Sequence, residues 1–157
     1  MVTLGGVVSV LALAIWGGVI VFRLFESKSD PFTYHRVSGR VVYEDGSPIP
    51  AGDLTLTFVP MVGAAGGERY PRPGHASVMV KTGDFTHAST RRHGDGLVAG
   101  RHKVLVTGPN RLPLAKEVLS ADYAAYDTTP LEVDTRTQRF DLMVKRPVPK
   151  NNPKAGK

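Results

Sequence analysis

Residues 37–60, VSGRVVYEDGSPIPAGDLTLTFVP, decide the fold of this chain. Val37, Val41 and Tyr43 recur at even spacing, which puts them on one face of a strand and could not put them on one face of a helix. Leu54, Leu56 and Phe58 do the same further on, with Thr55 and Thr57 on the opposite face. Threonine is a strand former that tolerates water, so this second segment reads as a half-buried strand. Between the two lies EDGSP, where Asp45-Gly46 followed by proline is turn chemistry.

The same grammar continues outward. Residues 60–74 hold four glycines and three prolines, and form a loop. HASVMVK (75–81) alternates through Ala76, Val78 and Val80, and Thr82-Gly83 turns it into DFTHAST (84–90), a hairpin partner. RHKVLVT (101–107) is a further strand, and LEV (131–133) and RFDLMV (139–144) close the chain. Residues 108–130 break the pattern, with a short helix expected near 114–119. About seven short strands with close turn signals predict an all-β, antiparallel sandwich. Periodicity leaves its strand order open.

Residues 91–106, RRHGDGLVAGRHKVLV, invite a more chemical reading. Phosphate-binding loops aim consecutive backbone N–H groups at the anion, usually from a helix N-terminus, but this Gly-Asp-Gly leads into a strand. Neither G-x-x-x-x-G-K-[ST] nor G-x-G-x-x-G occurs in the chain. Asp95 alone could not furnish a calcium loop. Gly94, Gly96 and Gly100 are expected to supply positive-φ positions in a connection between strands.

The ends of the chain differ from this middle. No charged residue occurs from Val2 to Phe22, a run long enough to cross a bilayer as one helix. Residues 1–25 therefore read as a transmembrane signal-anchor and 26–36 as a linker to a sandwich domain at 37–146. A cleavable signal peptide competes, with Ala12-Leu13-Ala14 as its site, but the apolar run continues past it. Arg23 and Lys28 follow the span and favour a cytoplasmic domain by the positive-inside rule, although the bias is small.

Charge bears on partners. Of 20 Lys and Arg, six lie outside 26–144 (Arg23, Lys145, Arg146, Lys150, Lys154 and Lys157), leaving 14 against 14 Asp and Glu. The excess thus sits at the ends, and residues 147–157 read as a disordered basic tail. It suits anionic head groups or plain solvation, and nothing gives the domain the basic face nucleic acid requires. With no cysteine, disulfides, thiolate metal sites and thiol nucleophiles are excluded.

Candidate site residues are few. No H-x-H pair occurs among His35, His75, His87, His93 and His102, though His87 and His93 flank one loop and could approach each other. No metal or other cofactor is expected. No G-x-S-x-G is present, and carboxylate pairs would have to meet in space alone. Tyr70, Tyr123 and Tyr126 lie on loops, where tyrosines either build a stacking platform for sugar or peptide, or pin the loop to the sandwich edge.

The order of elements resembles transthyretin-like, carboxypeptidase-regulatory-like domains. VSGRVVYEDGSPIPAGDLTLTFVP is similar to their V-x-G-x-V strand, D-G-x-P turn and F-x-P strand end. KTGDFTHAST resembles their G-x-F hairpin, and GDGLVAGRHKVLVTGP their glycine turn with its G-x-y-x-V-x-V strand. ADYAAYDTTPLEVDTRTQRFDLMV resembles their tyrosine crossover and closing strands. The resemblance spans residues 37–147 and implies a seven-stranded, prealbumin-like Greek-key sandwich without catalysis. It implies a domain outside the cytoplasmic membrane but no molecular role; contact there with an envelope protein or polysaccharide is the expectation for a sandwich without an assembled polar site. Two features depart from such proteins. No lipobox cysteine is present, and the chain ends KAGK rather than in the Y-R-G-S of the hydrolases that share the fold.

Overall fold

Alternation in the sequence becomes alternation in burial. The computed structural model describes residues 30–64 and 69–147, and the fold proper begins at Pro31. The expected anchor at 1–25 and nearly all of the tail at 147–157 lie outside the described residues. Among those described, no helix is long and apolar enough to cross a membrane.

Nine strands occur among the described residues: β1 (Tyr34–His35), β2 (Ser38–Tyr43), β3 (Thr55–Pro60), β4 (Gly74–Ser77), β5 (Asp84–Phe85), β6 (Leu97–Val98), β7 (Arg101–Thr107), β8 (Glu132–Asp134) and β9 (Arg139–Val144). They form a three-stranded sheet in the order β5-β2-β9, a four-stranded sheet β4-β3-β7-β8, and a small β1-β6 ribbon. The rest of the described residues form turns, loops and two short 3₁₀ segments, Pro109–Arg111 and Ala121–Ala124, so the described region is all-β as expected.

The inward faces meet in one core. Val41 and Tyr43 of β2, Leu56 and Phe58 of β3, Val104 and Val106 of β7, and Phe140, Leu142 and Val144 of β9 all belong to it. Phe58 of the larger sheet packs its ring 5.9 Å from Phe85 and 6.1 Å from Phe140, both in the smaller sheet. Tilted rings at that separation are the favoured arrangement for aromatic pairs. The expected hairpin at 75–90 is present: His75 and Ser89 exchange both backbone hydrogen bonds, and Met79 N–H donates to the Asp84 carbonyl.

Three differences from the expectation have local causes. β2 and β9 run parallel, with Ser38 opposite Arg139 and Tyr43 opposite Val144, where an antiparallel sandwich was expected. The chain changes sheets between β8 and β9, so no hairpin dictates their relative sense. The helix expected near 114–119 is a turn, with Val118 and Leu119 N–H both donating to the Ala115 carbonyl. So short a segment, with Pro113 before it, cannot offset the cost of a helical nucleus, and Leu119 enters the core instead. Part of the expected linker is structured, since Tyr34 and His35 pair with Val98 and Leu97. Two residues are too few to show a period.

Gly39 is the tightest point of the smaller sheet. A Cβ there would overlap the Phe140 carbonyl and fall 2.8 Å from the tip of the Phe85 ring. Gly39→Ala should therefore destabilise the fold by about 2–3 kcal/mol through overpacking. Gly52→Ala, where a Cβ meets nothing within 4 Å, should lie within about 0.5 kcal/mol of the parent. Chemical denaturation of both variants checks the contrast, and equal stabilities would refute this account of the interior.

Candidate functional site

The loop 86–96 is built around one carboxylate. Asp95 accepts hydrogen bonds from the backbone N–H of Thr90 (2.7 Å), Arg91 (2.9 Å) and Arg92 (2.9 Å). Burial alone would raise its pKa, but the three N–H donors outweigh burial and the pKa is lowered. The glycines behave as their spacing predicts, with φ of +69° at Gly94, +98° at Gly96 and +122° at Gly100. At Gly96 a Cβ would strike the His35 backbone, so the loop and β1 depend on that residue's smallness. The backbone donors of this loop are turned onto its own aspartate rather than outward toward an anion.

His87 and His93 do meet, edge to face, with ring centroids 4.4 Å apart. His87 Nδ1 lies 3.0 Å from Thr86 Oγ1. Among the described residues no group of three or more His, Cys, Asp or Glu is placed to hold a metal ion. His75 Nδ1 lies 3.1 Å from Thr57 Oγ1 across β3 and β4. His102 is wholly buried in β7, where Nδ1 donates to the Gly100 carbonyl at 3.1 Å and Nε2 has no partner among the described residues. Burial pushes the pKa of His102 down, against weaker opposition from the Gly100 carbonyl and Asp134.

The three loop tyrosines divide. Tyr123 is buried at 6% exposure, and its hydroxyl accepts a hydrogen bond from the Lys145 backbone N–H at 3.0 Å. It pins the crossover to the end of β9. Tyr70 and Tyr126 are exposed, at 75% and 41%. Among the described residues no ring contact joins any two of the three. Beside Tyr123 runs a shallow depression that includes Ser120, Asp122, Thr128, Lys145 and Arg146.

Arg146 does not belong to a solvated tail. Its guanidinium sits 4.2 Å over the Tyr43 ring, with Nε donating to Asp45 (2.9 Å) and a terminal nitrogen to Ser47 (2.6 Å). Hydrogen bonds from Ser47, then from Arg146, lower the Asp45 carboxyl to about 2. Tyr43 completes the clasp by donating its hydroxyl to the Val118 carbonyl. Exposed turn, crossover and strand end are thereby joined.

Among the described residues, β9 forms one open edge of the smaller sheet. Ser38 N–H donates to the Gln138 carbonyl and Glu44 N–H to that of Val144. In a parallel ladder this directs the backbone groups of Phe140, Leu142 and Val144 toward β2, and those of Arg139, Asp141 and Met143 away from it. Among the described residues no strand lies on that side. The side chains of Arg139, Asp141 and Met143 are exposed, Met143 at 60%. Alternation in RFDLMV marks the inward face of this strand but carries no sign that it would be an edge.

No known protein family, no curated protein and no solved structure matches the chain.

Both titratable anchors make the fold acid-sensitive. A histidine with a depressed folded pKa contributes stability that is complete above its unfolded value and declines as pH falls below about 6.5. A carboxylate with a depressed pKa contributes stability that is lost only as pH falls below about 4. His75, also lowered by burial and by Arg111, acts in the same direction as His102. Denaturation across pH 3–8 should show His102→Phe flattening the upper part of the decline. Asp95→Asn should cost about 1–2 kcal/mol at neutral pH and flatten the lower part. An unchanged pH profile in His102→Phe would contradict this assignment.

Proposed function

We propose that the chain is a membrane-anchored, non-enzymatic β-sandwich module of the cell envelope that acts by contact with another polypeptide. The observation that carries this reading is the edge of β9, where the outward backbone groups of Arg139, Asp141 and Met143 meet no strand among the described residues. Such an edge is a template for strand addition. The carboxylates that could have done chemistry are otherwise engaged: Asp95 with its loop, Asp45 with Ser47 and Arg146, Glu132 with Arg101 and Lys103, and Asp134 with Arg136.

In finer terms, the module is a transthyretin-like, carboxypeptidase-regulatory-like domain. The three- and four-stranded sheets contain seven strands between them, the number that resemblance implies. Its quoted segments fall on β2 and β3, on β5, on β7, and on the crossover with β8 and β9. The uncharged run at residues 2–22 supports the single-pass anchor, and the resemblance supports an extracytoplasmic domain. The reading of Tyr70, Tyr123 and Tyr126 as a sugar platform loses its central member, because Tyr123 is buried and hydrogen-bonded.

Two experiments on the full chain in cells test this. A cysteine at exposed Lys116 should react with a membrane-impermeant maleimide before the cells are opened; reaction only afterwards would place the domain in the cytoplasm. A photo-crosslinking residue at Met143 should form a polypeptide adduct that the same residue at Lys116 does not form. Absence of any Met143 adduct would remove the interaction reading.

A further inference from the structure

The open edge of β9 carries more information than its openness, because its charges select a partner. This step rests on the reading of β9 as a contact edge. Arg139, Asp141 and Met143 are the residues whose backbone groups face outward, and they alone can exchange ladder hydrogen bonds with an added strand. Lys145, next in the series, already gives its N–H to the Tyr123 hydroxyl. At the other end Thr137 N–H is tied to the Asp134 carbonyl. The usable edge is therefore short and bounded on both sides.

A second copy added antiparallel about a two-fold axis must satisfy one rule: if one residue lies opposite another, the reverse pairing also occurs. Several registers bring outward-facing residues together. Centring on Arg139 sets two arginines opposite each other, and centring on Met143 sets Asp141 opposite Lys145, whose edge N–H is already taken by the Tyr123 hydroxyl. Centring on Asp141 sets two carboxylates directly opposite each other. Centring on Leu142 sets Asp141 opposite Met143 and Arg139 opposite Lys145, a like-charge pair. Centring on Phe140 sets Arg139 opposite Asp141 twice, giving two opposite-charge pairs and four main-chain hydrogen bonds. Like charges opposed across strands destabilise a sheet and opposite charges stabilise it, so of the registers that do not need the edge at Lys145 only the last is self-complementary.

The existing sheet extends the pattern. Asp84 of β5, Arg40 of β2 and Asp141 of β9 lie side by side in one row, with an Arg40–Asp84 ion pair at 3.9 Å. In the Phe140-centred register the next position in that row is the partner's Arg139, so charge alternates across the junction. We infer that the chain self-associates through β9, joining two three-stranded sheets into one six-stranded sheet with Arg139 opposite the partner's Asp141. The two-fold consumes the open edge on both copies, so this contact closes as a dimer.

The absence of cysteine makes the register directly readable. Hydrogen-bonded residues across an antiparallel pair have Cα atoms about 5.5 Å apart, within disulfide reach. Full chains carrying Arg139→Cys and Asp141→Cys, mixed in detergent under mild oxidation, should form a mixed disulfide-linked dimer, with little dimer from either variant alone. The other Arg139–Asp141 pair stays intact in that mixed species. Asp141→Arg should weaken self-association of the full chain at least tenfold, and Arg139→Asp combined with Asp141→Arg should restore it. Contributions from other segments are the same in every variant. No mixed disulfide, equal linkage within each single variant, or no rescue by the charge exchange would each overturn the proposal. If the Met143 photo-adduct is a different polypeptide and the mixed disulfide fails to form, self-pairing falls while the contact reading stands.

Discussion

The contact of Phe58 with Phe85 and Phe140 is the constraint from which the rest of the architecture follows. One ring from the larger sheet meets two from the smaller one at about 6 Å, which fixes how closely the layers approach. That approach leaves no room for a side chain at Gly39, which lies under the Phe85 ring and against the β9 backbone. A glycine inside a strand normally weakens it; here its lack of a Cβ lets β5 and β9 flank β2 while their aromatic rings reach the shared core. The parallel β2–β9 pairing depends on the same clearance.

Around this core the polar residues are used to close the chain on itself. Asp95 collects three backbone N–H groups and holds the 86–96 loop, and its depressed pKa is the electrostatic record of that role. Arg146 links the end of β9 to the Asp45–Ser47 turn and covers Tyr43, while Tyr123 holds the crossover by bonding the Lys145 backbone. A fold without disulfides needs such ties where strands end. They also show how a stretch that looks chemically rich in the sequence is used: the backbone N–H groups of Arg91 and Arg92 serve the loop's own Asp95. The β9 edge is used differently, because among the described residues no strand meets the outward backbone groups of Arg139, Asp141 and Met143.

Local chemistry made much of this legible. The strands at 101–107 and 139–144 coincide with their alternating segments, since a two-residue period records directly which side chains face the core. The positive φ at Gly94, Gly96 and Gly100 followed from glycine's lack of a Cβ, and the approach of His87 to His93 from their places on one loop. Legibility stopped where the period was too short or the cause nonlocal. β1 and β6 are two residues each, and the turn at 115–119 depended on the pull of Leu119 into the core rather than on helix propensity.

By itself, then, the sequence determined the all-β class, the inward faces of the strands, the turn glycines and the balanced charge of the domain. Each of these depends on a residue and its near neighbours in the chain. Tertiary structure alone decided that β2 and β9 run parallel, that Tyr123 is a buried pin rather than an exposed platform, and that Arg146 folds back onto Tyr43. It also decided that Arg139, Asp141 and Met143 form an open edge. Those outcomes join residues about 20 to 100 positions apart, and a pairing of that kind has no period to announce it. It is set by how the two sheets pack, and only after packing does a strand become central or exposed.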